Sequence, residues 1–191
     1  MPVVREVVLY GNPVLRKKAS RIERIDEGIS NLAQDMLATM RARNGLGLAA
    51  QQVGETVAIC VIEIPPPKSE DPDDEDFAGL MPIPMPVIMI NPELTGRNGA
   101  ETTDEGCLSF PEIYISVERS TEVIAVFHDL AGRRQTIRAR GLFARAIQHE
   151  LDHLAGILLA DHMSALRKIT LAGTLKTLKK QGMEQAAGKQ P

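Results

Sequence analysis

Residues 148–153 read Gln-His-Glu-Leu-Asp-His, and this hexapeptide sets the tightest constraint on the fold. An α-helix advances about 100° per residue, so His149 and His153 lie about 40° apart on one face, one turn apart along it. Both imidazoles then reach a single ion. Glu150 and Asp152 fall on opposite flanks of that face, and Leu151 turns to the far side, toward a core. The pattern therefore predicts a helix over 141–155 with one side in a core and the other on a polar cavity. Unrelated proteins carry such a pair by chance, or as a purely structural metal site, so the rest of the chain has to decide. Both carboxylates qualify as a base, and Asp152 equally suits a supporting role held by a cation such as Arg119.

The surrounding sequence reads as one domain of 191 residues, long enough to bury a single core. A net charge of -3, 3% aromatic residues and no Trp leave neither an electrostatic footprint nor stacking platforms for nucleic acid, so no direct DNA role is expected. No leader pattern opens the chain and no apolar run approaches membrane-spanning length, so neither export nor a membrane role is expected. Two cysteines, Cys60 and Cys107, suit a reducing cytoplasm rather than a disulfide scaffold.

Apolar residues from Ile29 to Met40 recur at three and four positions, which predicts an amphipathic N-terminal helix over 26–44. Strands are expected at 56–64, 87–91 and 113–127, the last forming a hairpin with 133–139 across His-Asp-Leu-Ala-Gly. Cys60 lies inside an apolar strand and reads as a small core residue. His128, at that hairpin turn, reads as surface. The prolines and six acids of 65–86 predict a solvated loop insertion. A C-terminal helix is expected over 164–183, with Arg167, Lys168, Lys176, Lys179 and Lys180 and no acid between Leu166 and Lys180. Such a helix packs on its own domain or contacts a ribosome.

A catalytic metal usually has three protein ligands and keeps a position open for water. A third histidine six residues past His153 would complete one known pattern, but that position is Leu159. Carboxylates or Cys107 remain. Cys107 lies in Glu-Gly-Cys-Leu-Ser (105–109), among polar neighbours, where a thiolate would complete a Cys/His/His site and favour softer divalent ions. In Gly-Leu-Gly-Leu-Ala-Ala-Gln-Gln-Val-Gly (45–54), two spaced glycines let backbones approach closely, and Gln52 offers a neutral donor for an oxyanion. Phosphate-loop spacing is absent.

GLGLAAQQ, EGCLS and QHELDH, in that order, resemble the three signature motifs of the peptide deformylase family, and GNPVLRKKA (11–19) is similar to its N-terminus. The resemblance covers nearly the whole chain. It implies an α+β fold, with antiparallel or mixed sheets wrapped around a central helix carrying His149, Glu150 and His153. It also implies an enzyme that removes the formyl group from the N-terminal formylmethionine of new polypeptides in the bacterial cytoplasm. The metal ligands carried over are Cys107, His149 and His153, and Glu150 becomes the general base and acid. Gln52 and the Leu108 N–H become the oxyanion donors, and Leu46, Gly47 and Gly106 pair with substrate through their backbones. The family's natural ion is Fe2+, replaceable by Zn2+, Ni2+ or Co2+, whereas ligand chemistry alone points to zinc. The 65–86 excursion is longer than in many bacterial members.

Overall fold

Asp26 opens the first helix. Its carboxylate accepts the Ile29 N–H at 3.0 Å, and α1 runs over Glu27–Ala42, just inside the span expected from periodicity. Leu32, Ala33, Met36, Leu37 and Met40 are buried against Leu48, Ile59, Val61 and Ile90. The computed structural model describes residues 1–65 and 84–188; residues 66–83, nearly all of the expected acidic insertion, lie outside the described residues.

Two antiparallel sheets follow, in a mixed α+β arrangement. The larger takes the order β1 (Gly47–Ala49), β2 (Ile59–Ile62), β3 (Val87–Asn98), β6 (Glu122–His128) and β7 (Arg134–Arg140); β4 (Glu101–Cys107) pairs with β5 (Phe110–Arg119) in the smaller. All named strand pairs are antiparallel, and among the described residues parallel geometry is confined to the isolated bridge between Ser20 and Val57. The expected strand at 56–64 is shorter than its apolar run, and β3 continues well past Asn91.

The expected strand over 113–127 is two strands in different sheets. Ser120 breaks it, because the Gln148 side chain accepts its N–H at 3.0 Å and donates to its C=O at 2.9 Å. The β6–β7 hairpin forms as expected, its turn held by Asp129, which accepts the Ala131 and Arg133 N–H groups. His128 ends β6 half-buried, with Nδ1 shielded from solvent, rather than on the turn surface. Cys60 is fully buried in β2.

Helix α2 spans Gly141–Ala155 and stops at left-handed Gly156, φ 77°. It touches β1, β2, β6 and β7, and Phe143, Ala144, Ile147 and Leu154 enter the core. After the short α3 (Leu159–His162), the expected single C-terminal helix is instead α4 (Ala165–Thr170) and α5 (Ala172–Ala186). The interruption at Leu171 lies two residues before Gly173, a poor helix former. Among the described residues no helix is long and apolar enough to cross a membrane.

Helix α5 clasps the N-terminal segment, which in turn holds the loops beneath the cleft. Gln185 accepts the Leu9 N–H at 2.9 Å, Val8 N–H donates to Gln52 C=O at 2.8 Å, and Tyr10 N–H donates to Ser109 C=O at 2.9 Å. Gly182 permits this contact: a methyl there would lie 2.4 Å from the Tyr10 carbonyl oxygen and 2.5 Å from that of Leu9. At Gly173, on the same helix, nothing lies within 4 Å of such a methyl. Gly173→Ala should therefore stabilise the protein by about 0.5–1 kcal/mol, whereas Gly182→Ala should destabilise it by about 1–3 kcal/mol. Urea unfolding of the two variants checks this, and equal effects would show that the clasp is not tight.

Candidate active site

Helix α2 brings His149, Glu150 and His153 to the floor of a cleft of about 620 Å³, and the end of β4 brings Cys107 from the other sheet. One donor atom from each of Cys107, His149 and His153 lies within 4.8 Å of the others. Cys107 Sγ is 3.2 Å from His153 Nε2. The imidazole rings stand 5.0 Å apart at 72°, so they converge on a point rather than stack. A thiolate and two imidazoles at this separation suit a four-coordinate ion with one position left for solvent or substrate.

A buried chain of charges supports the histidine side. Glu105 Oε2 accepts from His149 Nδ1 at 3.1 Å, which fixes the ring's tautomer and leaves Nε2 for an ion. Arg119 grips Glu105 with two hydrogen bonds, of 2.9 and 3.0 Å, and reaches Asp152 at 2.6 Å. His162 Nε2 lies 2.8 Å from the same Asp152 oxygen. Arg119 thus holds Asp152 in the supporting role its position allowed. Sequence reasoning passed over Glu105, although strand alternation puts it on the same side of β4 as Cys107, two residues on.

The glycine loop closes the other wall. A methyl on Gly47 would lie 2.3 Å from Glu150 Oε1, so only glycine lets β1 pass that carboxylate. Gln52 sits in a 3₁₀ turn, Ala50–Val53, and its Oε1 accepts the Ala49 N–H at 2.8 Å. That contact orients Nε2 toward Cys107 Sγ, 3.5 Å away, and Ser109 Oγ, 3.4 Å away. Leu46, Gly47, Gln52, Gly106, Cys107, Leu108, His149 and Glu150 all line the cleft, and His153 lies behind them, 1% exposed. The structure brings every residue carried over from the family motifs to one place. Two non-glycine residues with left-handed backbone, Asn44 and Glu112, also line it; such conformations concentrate at functional sites.

The family model for polypeptide deformylase matches residues 4–169. The chain belongs to the peptide deformylase family. It is 40% identical over 173 residues to a peptide deformylase of Endomicrobium trichonymphae, covering 91% of this chain and 94% of that one. One from Dictyoglomus thermophilum is 42% identical over 159 residues, covering 83% and 92%. The crystal structure of the peptide deformylase from Ehrlichia chaffeensis superposes with a TM-score of 0.81 at 30% identity, covering 94% of this chain and 99% of that one.

The electrostatics of this deformylase site favour a cation at its centre. Burial pushes the Glu105 carboxyl up, but hydrogen bonds from His149 and Arg119 outweigh it and hold the pKa at about 2. Burial likewise disfavours a charged His149, yet its hydrogen bonds with Cys107 and Glu105 raise its pKa well above the ordinary value. Burial and the neighbouring His149 charge push His153 well below its own. Cys107 and Glu105 thus favour positive charge at His149, and that charge disfavours a second one on His153. Glu150 Oε2 is buried without a hydrogen-bond partner, as expected of a group poised beside an ion and its water.

Burial raises the Glu150 carboxyl to about 7, near the value a proton-transfer group needs at neutral pH. A folded-state pKa above the unfolded value of about 4.3 means that the fold favours the protonated form. Stability from Glu150 is then fully present below about pH 4 and lost as pH rises through the folded value. In metal-free protein, Glu150→Gln should be the more stable by on the order of 2 kcal/mol at about pH 8, with the gap closing near pH 4. Urea unfolding at both pH values measures it; a gap independent of pH would contradict the raised pKa.

Proposed function

We propose that this enzyme hydrolyses the formamide at the N-terminal formylmethionine of newly made polypeptides, with one divalent ion held by Cys107, His149 and His153. The convergence of thiolate, two imidazoles, buried carboxylate and carboxamide on one cleft carries the reading. The α2 helix serves as the central support around which the two sheets are arranged. The ion, when bound, lowers the pKa of water and polarises the formyl oxygen. The family resemblance points to Fe2+, with Zn2+, Ni2+ or Co2+ able to substitute, whereas thiolate and imidazole ligation alone favours Zn2+.

The chain's own groups do the rest. An extended peptide pairs with backbone at Leu46, Gly47 and Gly106, which presents the formyl group to the floor. Gln52 Nε2 and the Leu108 N–H donate to the formyl oxygen as negative charge develops there. Glu150 takes a proton from the attacking water and returns it to the peptide nitrogen as the C–N bond breaks. Formate and a free α-amine leave.

Metal-replete protein prepared without oxygen should release formate from N-formyl-Met-Ala-Ser. Cys107→Ala should lose the metal. Glu150→Gln should keep it and lose about 10²–10⁴ in kcat, and Gln52→Leu about 10²–10³. Gly47→Ala, which displaces Glu150, should also keep the metal and lose rate. Absence of formate from metal-replete parent protein would overturn the proposal.

A ribosome contact is the second part of the proposal. Helix α5 is occupied by the N-terminal segment, but α4 has no buried residue, and Leu166 (74%) and Ile169 (73%) are exposed beside Arg167 and Lys168. Leu166→Ser with Ile169→Ser should weaken co-sedimentation with ribosomes while formate release from short peptides persists. Undiminished co-sedimentation would remove α4 from this role.

A further inference from the structure

The cleft contains a cation that the reaction above does not use. Arg145 lies on α2 four residues before His149, about 6 Å along the helix, and lines the same cleft. It is half-buried, and among the described residues it has no hydrogen-bond or ion-pair partner. The other arginine side chains without one there, Arg24, Arg43, Arg97 and Arg134, are all exposed. A guanidinium partly withdrawn from water and left without an anion is costly unless a bound molecule brings one.

The cleft itself does not supply that anion. Glu105 is held by Arg119 and His149, Asp104 accepts from Ser116 at 2.7 Å, and Glu150 sits beneath Gly47. Arg43 adds a second cation at the rim, and the exposed Glu112 is the remaining carboxylate. We infer that Arg145 makes the enzyme selective for formylated chains with an acidic side chain at their third residue.

The inference rests on the deformylase reading and on strand geometry. Side chains of an extended peptide alternate, so residues 1 and 3 face the same side, about 6.8 Å apart. A first side chain at the level of His149 lies one turn of α2 from Arg145, and both residues line the cleft. For a peptide laid along α2 from His149 toward the helix N-terminus, one helical turn matches this two-residue step. The third side chain then meets Arg145, while the second faces away from α2.

The test uses the metal-replete enzyme with N-formyl-Met-Ala-X-Ser and N-formyl-Met-X-Ala-Ser, where X is Glu, Ala or Lys. At the third position kcat/KM should favour Glu over Ala by about 5-fold, chiefly through KM, with Lys below Ala. The Glu/Lys ratio should shrink with added salt, collapse toward unity in Arg145→Ala and invert in Arg145→Glu. Each ratio is taken within one protein, so a general loss of activity in a variant cancels. A flat ratio in the parent, a parent-like ratio in Arg145→Ala, or a preference confined to the second position would overturn the inference and leave the deformylase reading intact. If no peptide yields formate, that reading falls and takes this inference with it.

Discussion

Arg119 is only 7% exposed, and its guanidinium joins Glu105 on β4 to Asp152 on α2. Cys107 lies two residues from the first, and His149 and His153 flank the second. The small sheet and the helix therefore keep their spacing through a fork of hydrogen bonds rather than through apolar packing alone. A buried ion pair of this kind adds little net stability compared with an apolar replacement, but losing one partner strands the others at several kcal/mol. Its value here is geometric. Three donor atoms carried on a strand of one sheet and on a helix lie within 4.8 Å of one another, and a planar, permanently charged group fixes direction as well as distance.

The rest of the fold reinforces that alignment from the opposite side. Helix α5 holds the N-terminal segment, and that segment's amides bind the carbonyls of Gln52 and Ser109. The loops carrying Gln52 and Ser109 are thus secured by the N-terminal segment and α5. Gly47 and Gly182 have parallel tasks: each removes a side chain where two backbones, or a backbone and a carboxylate, need to touch. In both places the cost of glycine's freedom in the unfolded chain is offset by a contact no other residue permits.

Much of this was legible in the sequence, because periodicity reports burial. Helices α1 and α2 bury clear stripes, and the β6–β7 hairpin alternates around a turn containing Gly132, so all three are readable. Strand β4 escaped because Glu-Thr-Thr-Asp-Glu-Gly-Cys buries none of its residues fully, unlike its partner β5, which buries alternate apolar residues. The break between β5 and β6 escaped for another reason: it is imposed by Gln148, which is 28 positions from Ser120. At the site, local motifs named the groups with distinctive chemistry. Glu105 was harder to see, since a strand glutamate is ordinary until the fold shows what it faces.

Helix geometry alone left two carboxylates competing to act as the base, the family resemblance favoured Glu150, and their surroundings separate them in the same sense. Asp152 is committed to Arg119 and His162, at 2.6 and 2.8 Å, so its oxygen already carries donors and its charge is spent holding the helix. Glu150 is buried to 3% exposure, its Oε2 has no hydrogen-bond partner, and its carboxyl is raised to about 7 by desolvation. A base needs an open lone pair and a proton affinity matched to neutral pH, and Glu150 meets both conditions. The desolvation that raises its proton affinity also destabilises the metal-free fold above neutral pH. The same burial places the carboxylate beside the Cys107, His149 and His153 cluster, where the proposed reaction would use it.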